Sequence, residues 1–204
     1  MKVKKTREKI LDTSIKLFNE KKASNVSTVQ ISAEMKISPG NLYYYYANKE
    51  EIVKCIWNER MLEDIKLLLA GYEAAETAGA FMETLRKSFE HCMRYSFFYT
   101  ETPTLFANDG SLKDICSETG KLAQEIMTKL YSLWISRSKA TEESADAIQA
   151  IVRNGMSIFR DIASGCDLSK ETSVRQALLD MVFYLKAYLT DEMRREMDEA
   201  TAAI

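Results

Sequence analysis

With 28% charged and 46% apolar residues in 204, and only seven Gly and two Pro, the chain is too poor in turn formers for a β-sandwich or barrel. Its formal net charge of −2 hides an asymmetry: residues 1–60 hold twelve Lys/Arg against seven Asp/Glu, the remainder sixteen against twenty-three. A basic head on an acidic body fits a polyanion partner for the head, while four scattered cysteines and one histidine exclude the clustered ligands of a zinc site.

The spacing of Ile10, Leu11, Ile15, Leu17 and Phe18 predicts an amphipathic helix from about Thr6 to Lys21. Ser27 and Gln30 then form a capping-box pair, opening a two-turn helix from Thr28 to Met35 with Val29 or Ile31, and Met35, turned inward. Lys36, Ile37 and Ser38 make a turn. Ser38 caps a third helix, and Pro39 takes its first position, where a missing N–H costs nothing. Asn48, with Glu51 as box partner, opens a fourth helix reaching about Tyr72.

Four tyrosines, Tyr43 to Tyr46, occupy the third helix. Aromatic residues favour strands, but no partner strand is near and two strong helix starts flank them. Two short helices across a three-residue turn form a helix-turn-helix unit. At about 100° per residue the tyrosines cannot share one core: Leu42 and Tyr46 face inward, and Tyr43, Tyr44 and Tyr45 spread over the outer faces. Exposed aromatics with hydroxyl tips, beside Gly40, Asn41 and Lys49, suit a nucleic-acid surface.

The stretch "ILDTSIKLFNEKKASNVSTVQISAEMKISPGNLYYYYANKEEIV" resembles the N-terminal DNA-binding domain of TetR-type bacterial transcriptional regulators. The resemblance rests on Leu17-Phe18, Thr28, Ile31-Ser32, Ile37-Ser38, Gly40-Asn41-Leu42-Tyr43 and Lys49-Glu50. Three positions depart from the family pattern: Lys36 where the turn usually has Gly, Ser32 for Ala, and Tyr46 for Phe. A left-handed Lys36 costs roughly 1–2 kcal/mol. The resemblance implies that Thr28 and Lys49 bind backbone phosphates and that Pro39 and Asn41 lie at base edges. Gly40 then gives close approach to the major groove, Tyr43 and Tyr45 reach bases or phosphates, and Tyr44 braces the helix on the DNA backbone. Ser38 lies on the same surface.

Beyond the fourth helix, one helix is expected over Phe81 to Tyr99, and a short one capped by Thr102 and opened by Pro103. Ser111 begins another that reaches Trp134, and two long helices follow, Thr141 to Ala163 and residues 171 to 197. Val174, Leu178, Met181 and Leu185 repeat at the four-three spacing of a coiled-coil seam. With Ile148, Ile151, Val152 and Gly155 they are the expected dimer interface, and the resemblance implies a four-helix contact built from this pair in two subunits. Met82, Phe89, Met93, Phe97, Phe106, Tyr131 and Trp134 are the expected ligand pocket, since Met and aromatic side chains repack around varied ligands.

The expected architecture is therefore all-α. Residues 1–48 form a helix-turn-helix DNA-binding domain, and residues 49–204 a ligand-binding and dimerisation domain. The expected function is a ligand-responsive regulator, a repressor, that binds a near-palindromic duplex as a homodimer and is released by an apolar or amphipathic effector. The alternatives are a DNA-binding regulator without a sensor and a helical protein-interaction adaptor. No cofactor or metal is expected. With one histidine and no Gly-rich phosphate loop, neither is an enzymatic constellation. No apolar run has bilayer length and no signal-peptide pattern precedes the first helix, so a cytoplasmic location is expected.

Overall fold

The computed structural model describes residues 2–138, 145–165 and 170–202. Among these every regular element is helical: α1 (Lys2–Lys21), a 3-10 turn (Ala23–Asn25), α2 (Thr28–Glu34), α3 (Pro39–Tyr45) and α4 (Lys49–Ile56). A π-helical turn (Trp57–Met61) joins α4 to α5 (Leu62–Glu73); then come α6 (Ala78–Arg94), α7 (Ser96–Asn108) and α8 (Gly110–Ser138). The chain continues with α9 (Ala145–Gly165), α10 (Glu171–Lys186) and α11 (Asp191–Ala202). No described helix is long and apolar enough to cross a membrane.

The chain divides into two compact units, Met1–Asp64 with Tyr95–Ile115, and Ile65–Arg94 with Cys116–Ile204. The boundary expected after residue 48 falls inside the first unit, because Ile52, Val53 and Ile56 of α4 are buried and α4 packs on α1. That unit closes around Ile10, Phe18, Ile31, Leu42 and Tyr46, none more than 1% exposed. Burying a side chain such as Phe18 stabilises the fold by roughly 1.5–3 kcal/mol. The later segment contributes Phe97, whose ring lies 5.2 Å from that of Phe18, and Phe98, stacked 5.1 Å from Trp57.

Three expectations in this segment are corrected. The helix expected to reach Tyr99 breaks at Tyr95, and α7 starts afresh because Asn19 of α1 accepts from the Ser96 hydroxyl and the Phe97 N–H, at 3.1 and 3.0 Å. Pro103 lies inside α7 and does not open a helix. The Thr102 hydroxyl donates back to the Phe98 and Tyr99 carbonyls, beside the position where proline supplies no N–H. Asp109, not Ser111, starts α8: its Oδ1 accepts from the Ser111 N–H at 2.9 Å and the Ser111 hydroxyl at 2.6 Å.

In the second unit Phe81, Leu85 and Phe89 of α6 are buried, and the Phe89 ring lies 5.0 Å from Phe159 of α9. The Tyr72 and Ser88 hydroxyls meet at 2.9 Å inside this core. The last expected helix is two: the chain breaks between Lys186 and Asp191, where Arg194 donates to the Lys186 carbonyl at 2.8 Å. Thr141, the expected start of α9, lies outside the described residues.

Candidate nucleic-acid interface

Local chemistry sets the frame of the helix-turn-helix. Ser27 Oγ accepts the Gln30 N–H, and Gln30 Oε1 accepts the Ser27 N–H, so both ends of the box are closed. Ser38 Oγ accepts the Asn41 N–H at 3.2 Å with Pro39 in the first turn of α3. Between the two helices Lys36 stands at φ 57°, the left-handed conformation that the missing glycine would have adopted without strain. Asn48 accepts the Glu51 N–H at 2.8 Å, and Glu51 reaches back to the Ala47 N–H at 2.6 Å rather than to that of Asn48.

This frame turns Leu42 and Tyr46 inward and leaves Ser38, Pro39, Gly40, Asn41, Tyr43 and Tyr44 exposed. Tyr43 is 51% exposed and Tyr44 76%. Tyr45 is half-buried, its ring edge-on to Tyr44 with centroids 5.2 Å apart. Thr28, half-buried at the start of α2, meets the Tyr43 hydroxyl at 3.1 Å. A Cβ built at Gly40 meets nothing within 4 Å and its φ is not positive, so nothing inside the chain demands glycine there. Neither helix has an acidic residue in its first turn. The one acid near the end of α2, Glu34, is paired with Lys16 at 3.2 Å.

Behind the surface, Arg7 pairs with Glu59 and lies 5.3 Å over the Tyr46 ring. That hydrogen bond holds the Glu59 carboxyl below the usual carboxylate range, against the opposing effect of burial. Burial, opposed by the Arg7 charge, pushes the Tyr46 hydroxyl up.

Lys49 is half-buried and donates to the Ala23 carbonyl at 2.7 Å. On the other side of this turn, Glu101 of α7 accepts from the Ala23 N–H, the Ser24 N–H and the Ser24 hydroxyl. A cleft beside it, lined by Lys49, Glu50, Thr104 and Leu105, has room for a single water molecule. Two residues at this surface are not legible in the sequence. Val29, one of the two candidates for the inward face of α2, is 54% exposed beside Thr28, and Ile31 is the buried one. Glu101 gave no signal, being 78 residues from its partner.

The other expected sites are distributed differently. Met82 and Phe89 (buried) and Met93 (half-buried) belong to α6 and Tyr131 to α8, in the second unit. Phe97 and Phe106 belong to the first, where they touch Phe18 and Phe98. The side chain of Trp134 lies outside the described residues. These residues therefore do not form one cluster in either unit. The residues of the expected dimer seam, Ile148, Ile151, Val152, Gly155, Val174, Leu178, Met181 and Leu185, are all buried within the single chain. α10 packs on α9 and α6, so the seam closes on the chain's own helices. Gly155 serves that packing, since a Cβ there would stand 3.2 Å from Tyr184, whose hydroxyl donates to the Ile151 carbonyl at 2.8 Å. The apolar groups left outside on α10 are Leu179 and Phe183, the latter 83% exposed. Among the described residues no group of three or more His, Cys, Asp or Glu is placed to hold a metal ion.

Comparison with known proteins agrees with this geometry. The pattern of "Bacterial regulatory proteins, tetR family" matches residues 10–56, and that of "Bacterial transcriptional repressor" matches residues 60–197. A stretch of 48 residues is 42% identical to IcaR of Staphylococcus epidermidis, an HTH-type negative transcriptional regulator of a biofilm operon; it spans 24% of this chain and 26% of that protein. A TetR-family transcriptional regulator from Marinobacter aquaeolei superposes with a TM-score of 0.84 and 25% identity, covering 97% of this chain and 98% of its own. PfmR of Thermus thermophilus shares the fold, with a TM-score of 0.69 and 15% identity over 87% of this chain and 97% of its own. With helix-turn-helix and helical body both accounted for, the chain belongs to the tetR family of bacterial regulatory proteins, DNA-binding transcription factors and not enzymes.

Proposed function

We propose that the chain represses transcription by binding a near-palindromic duplex as a homodimer through Thr28, Pro39, Gly40, Asn41, Tyr43, Tyr44, Tyr45 and Lys49. The observation that carries this reading is the exposed face of α3: aromatic, hydroxyl-rich, free of acids, and bearing a glycine that internal packing does not require. Negative regulation is taken from IcaR, which resembles the chain over about a quarter of its length. One recognition helix reads few base pairs, so two related by a two-fold axis are proposed, with half-sites roughly 34–36 Å or more apart. The exposed Leu179 and Phe183 of α10 are the proposed subunit contact. Fluorescence anisotropy with duplexes from the chain's own upstream region tests the reading. Binding should weaken steeply with salt, each phosphate contact adding about −0.9 to the log–log slope. Absence of salt-dependent binding to every duplex overturns it.

Release by an apolar or amphipathic effector is the second half of the proposal, supported by the buried Met82, Phe81 and Phe89 of the second unit. A regulator without a sensor is the rival. Mass spectrometry of the freshly purified protein, followed by titration of its DNA complex with any molecule found, separates the two.

A further inference from the structure

The peptide unit joining Ala23 to Ser24 is held from both ends by opposite charges. Its N–H donates to the Glu101 carboxylate at 3.2 Å and its carbonyl accepts from the Lys49 ammonium at 2.7 Å. Glu101 is only 8% exposed, and it also accepts the Ala23 N–H and, at 2.5 Å, the Ser24 hydroxyl. Hydrogen bonds in series polarise one another, so the peptide that donates to a carboxylate is a better acceptor at its carbonyl. Lys22, directly before, stands at positive φ (68°), a conformation that a non-glycine residue keeps only where its surroundings over-determine it.

We infer that Glu101 is a positioning residue for DNA binding: acting through one peptide unit, it holds the Lys49 ammonium at the surface for a backbone phosphate. Lysine is a point charge on a flexible stem that carries about 2 kcal/mol of rotamer entropy. Anchoring one of its three N–H donors on Ala23 removes part of that freedom before DNA arrives and leaves two donors for a phosphate oxygen. A helix remote in sequence, α7, thereby takes part in the affinity of a surface it does not belong to. The inference rests on the proposed contact between Lys49 and phosphate.

Charge alone makes the opposite prediction, which gives the test its force. Removing a carboxylate near a polyanion site should strengthen binding; removing a positioning residue should weaken it. The experiment measures binding against salt for wild type, Lys49→Ala, Glu101→Gln and the double variant, on a duplex selected by the wild type from a random-sequence pool. Lys49→Ala should lower the slope magnitude by about 0.9. Glu101→Gln replaces one acceptor oxygen by an NH₂ that meets a backbone N–H. It should lower the slope by a similar amount and the affinity roughly three- to tenfold, with no further loss in the double variant. A wild-type slope, or tighter binding, in Glu101→Gln overturns the inference while leaving the phosphate contact standing. A wild-type slope in Lys49→Ala overturns the contact itself. Where Glu101→Gln does not fold, hydrogen exchange on the wild type decides: by linkage, DNA should slow exchange of the Ala23 and Ser24 amides, and unchanged exchange overturns the inference.

Discussion

The side-chain oxygens of Thr28 and Tyr43 stand 3.1 Å apart, joining the first residue of α2 to the exposed face of α3. Each hydroxyl is both donor and acceptor, so the pair fixes the direction in which the Tyr43 oxygen presents its remaining hydrogen-bonding capacity. Tyr43→Phe keeps the ring and removes the link. The expected outcome is a thermal midpoint within about 2 °C of wild type, since the bond is exposed. DNA affinity should fall roughly three- to tenfold in anisotropy titrations, about 0.7–1.4 kcal/mol. Unchanged affinity would remove the Tyr43 hydroxyl from the interface.

Lys36 at φ 57° tests the turn directly. Lys36→Gly should stabilise the protein by about 0.5–1 kcal/mol, the relief of left-handed strain partly offset by the freer unfolded chain. A melt should show a midpoint about 1–4 °C higher. A lower midpoint would mean that the lysine side chain stabilises the turn by more than its backbone costs.

The outer face of α10 separates folding from assembly. Phe183→Glu places a charge on a side chain that is 83% exposed in the single chain, so each chain should keep its helical content in circular dichroism while light scattering shows a smaller particle. Leu178→Glu buries a charge in a site only 3% exposed, and should lower stability by several kcal/mol. A Phe183→Glu variant with the wild-type particle size would exclude this face from the subunit contact.

The Arg7–Glu59 pair gives a pH dependence with a definite sign. Because Arg7 holds the Glu59 carboxyl below its ordinary range, the folded state binds that proton more weakly than the unfolded state. Its contribution is present above the unfolded carboxylate range and is lost as pH falls through the folded value. The pair is more than a third exposed, so the effect is at most about 1 kcal/mol. Glu59→Gln should be less stable than wild type at neutral pH and indistinguishable in strong acid. An equal deficit at both ends would assign the loss to packing.

What the sequence made legible was local. Ser27 with Gln30, Ser38 with Pro39, and Asn48 act within four residues, and their helix starts could be read directly. Leu42 and Tyr46 followed from helical angle alone. The breaks at Tyr95 and between Lys186 and Asp191 could not be read: the first is made by Asn19, 77 residues away from Ser96. Pro103 misled because proline usually opens a helix, and here a threonine hydroxyl takes up the neighbouring carbonyls. The spacing of Val174, Leu178, Met181 and Leu185 was a true apolar stripe, but periodicity names a face and not its partner. Gly155 is the example: it makes room for Tyr184 of the same chain.

Phe97 and Glu101 complete a unit by meeting Phe18 and the Ala23–Ser24 peptide, which lie nearly eighty positions earlier in the chain. On the ribosome, which adds about 5–20 residues per second, Phe18 and the Ala23–Ser24 peptide emerge several seconds before the groups that cover them. The head cannot reach its final form while it is the only part of the protein in existence. A fragment ending at residue 48 or 64 should therefore remain unfinished, with Phe18 partly wet, whereas supplying residues 95–115 in trans should restore order to it.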